Sequence, residues 1–247
     1  KKGDFVNGML AWKEQQTSNG EGLNKVDADK APLSAYLGVL GLTGLTAYFG
    51  LTKLGLPKEG DTLVVSGAAG AVGTIVGQIG KIHGCKVVGI AGNDEKVEML
   101  KSKFGYDAAI NYNTTEDMTS AIAEVAPDGV NVFFDNVGGT IFDAVLANIA
   151  RNAHVVLCGA IADYNKTETP TGPRVNTTLI KNSVSMSGFT LGDFQSHFQE
   201  GIQKLAGWLS EGKLEYEETI VEGFDNIPQA FLDLFEGKNK GKMVVKI

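Results

Sequence analysis

The chain has 247 residues, of which 43% are apolar and 21% are charged, and its formal net charge is −7. This composition is typical of a globular protein rather than a disordered or fibrous one. An acidic chain with scattered lysines has no basic stripe to neutralise nucleic-acid phosphates, and its apolar runs are far shorter than the roughly 18 residues of a membrane span. We therefore expect neither nucleic acid nor a membrane as a partner.

The few cysteines and the N-terminal sequence indicate a cytoplasmic location. Lys1 and Lys2 are not followed by an apolar segment with a small-residue cleavage site, which a secretory signal would require. Two cysteines, Cys85 and Cys158, are too few for a disulfide framework or a zinc cluster and fit a reducing compartment.

The predicted elements begin with a polar, turn-rich segment, residues 1–34, with one strand near Phe5 to Leu10. From Thr62 onward, β-branched runs alternate with stretches of helical periodicity, which is typical of βαβ units around a parallel sheet. The predicted strands cover 62–66, 86–90, 108–110, 130–134, 153–157 and 184–188, and the helices between them 71–83, 94–104, 116–125 and 140–149.

A further helix follows the sixth strand and places Phe194, Phe198, Ile202, Leu205 and Leu209 on one face. The tail then predicts a strand near 219–221, a helix over 227–236 and a last strand over 243–247. Six strands with their crossovers predict an α/β fold, a doubly wound dinucleotide-binding domain over residues 48–218. Residues 1–47 and 219–247 are each too small to bury a core alone, so we interpret them as two parts of a second domain.

The glycine content is the unusual feature of the composition. Glycine accounts for 32 of the 247 residues, nearly twice the average share of about 7%. Seven residues from Gly67 to Gly73, with the sequence GAAGAVG, directly follow the first strand of the alternation and precede a helix. Glycines in this context permit a tight turn and the close approach of backbone N–H groups to a pyrophosphate at the helix N-terminus. The turn is therefore predicted to bind a nucleotide, and Thr74 stands where an ATPase phosphate loop would have lysine.

The end of the second strand favours NADP over NAD. An acidic residue about 20 positions after the glycines would bind the ribose 2′-hydroxyl of NAD, but Ala91-Gly92-Asn93 stands there instead. The small residues leave room for a 2′-phosphate, and Lys96, one turn into the next helix, offers it a cation. The alternative is that Lys96 is an ordinary surface lysine.

Polar, aromatic and glycine residues follow the later strands in the same way. They include Tyr112 after the third strand, Asp135 to Gly139 after the fourth, Cys158 to Asn165 after the fifth, and Phe189 to Leu191 after the sixth. Because ligands of doubly wound sheets bind beyond the carboxyl ends of the strands, this bias predicts a cofactor across that edge. Each residue taken singly could also serve packing or helix capping.

The segments TLVVSGAAGAVG, GCKVVGIAGNDEKV, NVFFDNVGG, VVLCGAIADYN and GLTGLTAYFGL together resemble the zinc-independent medium-chain dehydrogenases/reductases. The resemblance is to the branch of leukotriene B4 12-hydroxydehydrogenase (prostaglandin reductase) and the alkenal, alkenone and curcumin double-bond reductases. It implies a Rossmann-type domain with remnants of a GroES-like catalytic barrel in 1–47 and 219–247. The chain would then lack on the order of a hundred residues at its N-terminus, about one small domain.

The resemblance also implies roles for individual residues. The pyrophosphate would be held by Gly70, Ala71, Val72 and Gly73, and the 2′-phosphate side by Lys96 and Tyr112. The nicotinamide half would be lined by Asn136, Cys158, Gly159, Ala160, Ile161, Tyr164, Phe189, Thr190, Leu191 and Asn239. Asp163 departs from the family pattern and puts a charge near the predicted substrate mouth. No metal is implied.

The implied reaction is the reduction of the C=C bond of an enone or enal, with NADPH as hydride donor to the β-carbon. Negative charge develops on the carbonyl oxygen and needs a hydrogen-bond donor, either Tyr164 or a ribose hydroxyl of the cofactor. The α-carbon is then protonated by Tyr164 or by water. Tyr164 could instead be a packing residue.

Four other classes of protein could share parts of this pattern. A zinc alcohol dehydrogenase has the same scaffold, but the segment after KKGDFVNG contains no cysteine, and the three histidines are isolated. A short-chain dehydrogenase is excluded because none of the six tyrosines has a lysine four residues later. An NADPH-dependent quinone reductase and a non-enzymatic NADPH-binding sensor or structural protein stay open. The resemblance further suggests a homodimer that pairs edge strands near Val184 to Gly188.

Overall fold

A computed structural model describes residues 1–247 and contains ten strands and eight α-helices. The strands are β1 (Phe5–Asn7), β2 (Asn24–Val26), β3 (Thr62–Ser66), β4 (Lys86–Ala91), β5 (Ala108–Asn111), β6 (Val130–Asp135), β7 (Ile149–Leu157), β8 (Ser185–Gly188), β9 (Glu218–Glu222) and β10 (Lys242–Lys246). The helices are α1 (Leu42–Phe49), α2 (Gly73–Ile82), α3 (Asp94–Ser102), α4 (Met118–Val125), α5 (Gly139–Ala147), α6 (Asn176–Asn182), α7 (Phe198–Ser210) and α8 (Ile227–Phe235).

A six-stranded parallel sheet forms the centre of the molecule, in the order β5-β4-β3-β6-β7-β8. Strand β3, the first strand of this sheet in chain order, lies inside the sheet. All five of its residues are buried, as expected of a strand that is covered on both faces. The strand order reverses between β4 and β6, on either side of β3, so a crevice opens at the carboxyl ends of these strands. The predicted doubly wound α/β fold is confirmed.

Each face of the sheet has its own apolar core. One face packs beneath α1, α2 and α7 and buries Phe49, Ile75 and Leu205. The other face packs beneath α4 and α5 and buries Ile122 and Val145. None of the helices has the length and apolarity needed to cross a membrane.

Several predicted boundaries are wrong. Helix α5 ends at Ala147 and β7 already begins at Ile149, whereas the pattern predicts a helix to residue 149 and a strand only from 153. The register of β6 against β7 shifts between Val130 and Val132, and Asn152 has a φ of 61°, so the start of β7 lacks the regular alternation on which the prediction depends.

Other helices differ from their predictions as well. Helix α2 begins at Gly73 rather than at 71, and a 3-10 helix, Leu191–His197, precedes α7. Helices α1 and α6 and a π-helical turn, Gly50–Gly55, are not predicted from the sequence. Helix α1 is buried almost all round, so it lacks the one-sided periodicity that identifies an amphipathic helix.

Two small sheets flank the central one. Strands β1 and β2 pair antiparallel, and β9 and β10 pair parallel; β2 is not predicted from the sequence. Helix α1 spans the predicted domain boundary between residues 47 and 48, and the division into three segments stays a prediction. A β-bridge between Gly70 and Gly241 joins the C-terminal tail to the turn after β3.

Candidate functional site

A cavity of about 670 Å³ lies at the carboxyl edge of the sheet. Its walls are the turn after β3, the ends of β4 to β6, the loop after β7 and the tail from residue 234 to 243. This is where the topology of a doubly wound sheet places its ligands.

The turn after β3 supplies an anion-binding surface. The N–H group of Gly70 donates to Gly67 O and that of Thr74 to Gly70 O, whereas those of Ala71, Val72 and Gly73 have no acceptor. These donors lie at the start of α2, where the helix dipole is positive. The arrangement is suited to the negatively charged oxygens of a diphosphate.

The cavity wall at the end of β4 contains a buried cation. Lys96 is only 9% exposed and its Nζ donates to Gly237 O at 2.5 Å. Burial lowers the pKa of Lys96, and the nearby charge of Lys240 lowers it further. A Cβ on Gly92 would lie 2.7 Å from the Tyr112 hydroxyl. The absence of a side chain at residue 92 therefore leaves room for the Tyr112 phenol in the cavity wall.

At the end of β6, a buried carboxylate shapes the next part of the wall. Asp135 accepts hydrogen bonds from Ser66 Oγ at 2.5 Å and from the N–H groups of Val137 and Gly138 at 3.1 Å. Burial raises the pKa of Asp135 despite these bonds. The neighbouring Asn136 donates from its backbone to Ser66 Oγ at 2.9 Å and from its side chain to Ser66 O at 2.8 Å. Ser66 and Asp135 therefore hold Asn136 beside the turn.

We expect Ser66→Ala to lower the free energy of unfolding by about 1.5–3 kcal/mol, because it removes a buried hydrogen bond to a charged group and orphans the Asn136 N–H. Urea unfolding would measure this loss. The matched control is Ser102→Ala, whose exposed Oγ bonds only to Glu98 O at 2.8 Å and should change stability by less than about 0.5 kcal/mol. Equal effects of the two substitutions would contradict this role of Ser66.

The loop after β7 reaches the cavity only in part. Ile161 lines it, but Cys158 packs against the core, and burial and then the charge of Asp135 raise the pKa of its thiol to about 12. Asp163 pairs with Lys166 at 2.7 Å, so its charge is offset locally. Tyr164 is 61% exposed, and its hydroxyl accepts the Ala160 N–H at 3.1 Å.

The segment after β8 does not line the cavity. Phe189 packs edge-on against Phe194, with ring centroids 6.0 Å apart, and Leu191 packs against the core. Thr190 caps the 3-10 helix together with Asp193.

The cavity thus brings together only some of the sequence-predicted residues. It unites Gly70, Ala71, Val72, Gly73, Lys96, Tyr112, Asn136, Ile161 and Asn239. It leaves out Cys158, Gly159, Ala160, Tyr164, Phe189, Thr190 and Leu191.

Asn239 belongs to the part of the cavity wall that the C-terminal tail contributes. Its side chain donates to Gly241 O at 2.8 Å, and Gly241 N–H donates to Ala69 O at 2.8 Å. Two residues before it, Gly237 accepts the hydrogen bond from Lys96. Asn239 therefore lies close to the turn after β3 and to the segment that bonds Lys96, and its contact with the nicotinamide half stays a prediction.

Lys242 is a cavity residue that the sequence patterns do not identify. It lies next to Gly241 and lines the cavity. Its aliphatic stem lies beside Gly38, where an added Cβ would be 3.6 Å from Lys242 Cγ. Burial alone lowers the pKa of Lys242, and the side chain forms no ion pair. Its ammonium group is therefore available to bind an anion in the cavity. No local motif identifies it, because its position depends on contact between the tail and a turn about 170 residues earlier.

The structure contains no group of three or more His, Cys, Asp or Glu side chains arranged to hold a metal ion.

The sheet order, the free N–H groups at a helix N-terminus and the adjoining cavity define a Rossmann-type dinucleotide-binding protein. A family model described as "Zinc-binding dehydrogenase" matches residues 71–207. The chain belongs to the medium-chain dehydrogenase/reductase family.

Relatives in this family match essentially the whole chain. It is 55% identical to a putative NADP-dependent oxidoreductase of Bacillus subtilis, with 100% of this chain and 74% of the relative covered. It is 44% identical to prostaglandin reductase 1 of Mus musculus, with 99% and 75% covered. It is 39% identical to the NADPH-dependent curcumin reductase of Escherichia coli, with 99% and 72% covered.

Solved structures agree with these relatives. CurA from Vibrio vulnificus in complex with NADPH superposes with a TM-score of 0.92 at 41% identity, over 98% of this chain and 73% of that one. The Escherichia coli quinone oxidoreductase in complex with NADPH has a TM-score of 0.75 at 22% identity, over 92% and 68%, a likeness of fold alone.

Proposed function

We propose that the chain is an NADPH-dependent oxidoreductase that reduces the C=C bond of α,β-unsaturated ketones and aldehydes. The observation that carries the proposal is the cavity, in which an anion-binding turn and a buried lysine share one space. The relatives support the substrate class, because they include the curcumin reductase and a 2-alkenal reductase of Nicotiana tabacum that is 40% identical over 100% of this chain.

The residues present fit NADPH at this edge of the sheet. The turn from Gly70 to Gly73, with its free N–H groups, would hold the diphosphate, and Lys96 and Tyr112 would hold the 2′-phosphate. Asn136 and Ile161 line the cavity and would contact the nicotinamide half, whereas the other residues predicted for this half in the loops after β7 and β8 lie outside the cavity. When bound, NADPH supplies the hydride that adds to the β-carbon.

We further propose Tyr164 as the hydrogen-bond donor to the substrate carbonyl oxygen and the source of the α-carbon proton. Its hydroxyl accepts the Ala160 N–H, so the phenolic proton is not used in that bond and can point to a substrate. Charge that develops on the carbonyl oxygen would be stabilised by this donor more strongly than the ground state is.

The proposal is tested by following NADPH oxidation with an enone, an enal and a quinone in parallel, using the full-length protein. We expect turnover of the enone and the enal. Turnover of the quinone alone would favour a quinone reductase, and NADPH binding without any turnover would favour a sensor.

In the same assay, Tyr164→Phe should lower kcat by about 100-fold or more, the lower end of a general acid's contribution, with little change in NADPH binding. The matched control is Tyr36→Phe, whose hydroxyl bonds Asp27 O at 2.8 Å, distant in sequence from this loop. An unchanged kcat for Tyr164→Phe would remove the catalytic role.

We also propose a cytoplasmic homodimer. Strand β8 is an edge of the central sheet, and an exposed edge is normally covered by pairing with another strand. Both cysteines are free thiols, which fits a reducing compartment. Light scattering should give twice the mass of one chain, and a monomer would contradict the dimer.

A further inference from the structure

Tyr106 is a buried phenol that lies directly beneath the turn after β3. It precedes β5 and is 3% exposed. Its hydroxyl donates to Gly73 O at 2.7 Å. Burial raises its pKa above the ordinary value, so the hydroxyl keeps its proton and remains a donor.

Two glycines form the slot that admits this ring. A Cβ on Gly77, in α2, would lie 2.1 Å from Tyr106 Cζ, and a Cβ on Gly89, in β4, would lie 3.0 Å from Tyr106 Cδ1. The phenol is therefore held between the helix and the sheet, with no space to turn away from Gly73. Such close packing makes its hydroxyl a fixed point of attachment for the start of α2.

The bonded carbonyl belongs to the residue that ends the anion-binding turn. Gly73 contributes one of the free N–H groups, and its carbonyl shares a planar peptide unit with the Thr74 N–H, which itself donates to Gly70 O. Only the two backbone dihedrals of Gly73 separate this anchored unit from the unit that carries the Gly73 N–H. The other free donors, on Ala71 and Val72, lie immediately before it. An anchored Gly73 thus holds these donors in a fixed orientation before an anion arrives.

We propose that Tyr106 is a positioning residue for the cofactor diphosphate, acting through its hydrogen bond to the Gly73 carbonyl. The inference rests on the proposed NADPH site. Tyr106 touches no part of the cavity itself, so it affects ligands only through the turn. Ligands that contain a diphosphate should depend on Tyr106, and a ligand without one should not.

The test compares Tyr106→Phe with the wild type by titration with NADPH, NADH, ADP-ribose and adenosine 2′-monophosphate. Tyr106→Phe keeps the ring and removes only the hydroxyl. We expect Kd to rise about three- to tenfold for the first three ligands, the range of one net hydrogen bond. Binding of adenosine 2′-monophosphate should be unchanged, and at saturating NADPH the kcat should stay within about twofold of the wild type.

Tyr48→Phe is the matched control. Tyr48 is 6% exposed, belongs to the same apolar core and loses a comparable bond, from its hydroxyl to Glu200 Oε1 at 3.2 Å. We expect it to leave all four Kd values unchanged. An unchanged NADPH Kd in Tyr106→Phe, or an equal loss for adenosine 2′-monophosphate, would overturn the inference.

The same titrations separate this inference from the proposed reaction. If the wild type binds NADPH and ADP-ribose but reduces no enone or enal, the proposed reaction fails while the role of Tyr106 is still decided by the Kd values. If the wild type binds neither ligand, both proposals are overturned.

Discussion

Gly73→Ala should lower the free energy of unfolding by about 3 kcal/mol or more and weaken NADPH binding by more than about tenfold. A Cβ at this position would lie 2.5 Å from Gly67 O and 2.6 Å from Ala68 Cα. Both contacts are with backbone, which cannot rotate aside as a flexible side chain can. The turn would have to open, and its free N–H groups would lose their common direction. Urea unfolding and NADPH titration measure the two effects.

Two other glycines serve as controls for this prediction. A Cβ added to Gly207, in α7, would have no heavy atom within 4 Å. Gly207→Ala should therefore leave the free energy of unfolding unchanged or raise it by up to about 1 kcal/mol. Gly70→Ala meets only Gly67 O, at 3.3 Å, and lines the cavity, so it should retain stability but weaken NADPH binding. If Gly73→Ala is as stable as the wild type, the close packing of this turn is not required.

Lys96→Met should weaken NADPH binding by about 10- to 100-fold and leave NADH binding almost unchanged. The substitution keeps the apolar stem and removes the ammonium group. If this ammonium binds the 2′-phosphate, its loss removes a charge-assisted hydrogen bond that only NADPH can make. The ratio of the Kd values for the two cofactors is therefore the informative measurement.

Lys101→Met is the control on the same helix. Lys101 is 44% exposed and pairs with Glu98 at 3.0 Å, so its removal should leave both Kd values unchanged. Lys96 also donates to Gly237 O, which suggests a different role. If Lys96→Met weakens NADPH and NADH equally, Lys96 mainly ties the tail to the cavity wall and does not distinguish the two cofactors.

The central sheet and its first turn could be predicted from the sequence because their signals are local. Thr62 to Ser66 is a continuous apolar run, and the glycines from Gly67 follow it directly. Strand periodicity, helix periodicity and turn residues all act over a few positions. Where the local pattern is irregular, as at the start of β7, the predicted boundary is wrong.

The walls of the cavity depended on contacts between distant parts of the chain. The hydrogen bond from Gly241 to Ala69 brings Asn239 and Lys242 beside the turn after β3. Nothing near either residue in the sequence indicates this, because the contact spans about 170 residues. Tyr106 is similar, since its slot is formed jointly by Gly77 and Gly89 on two different elements.

The sequence by itself therefore determined the α/β class, the anion-binding turn and the small residues that leave room at the end of β4. Each of these depends on the conformational preferences of consecutive residues. Only the tertiary structure decided which cations enter the cavity, where Asn239 lies and what supports the turn from beneath. Those features are set by packing and hydrogen bonds between elements far apart in the chain, for which a single sequence carries no local pattern.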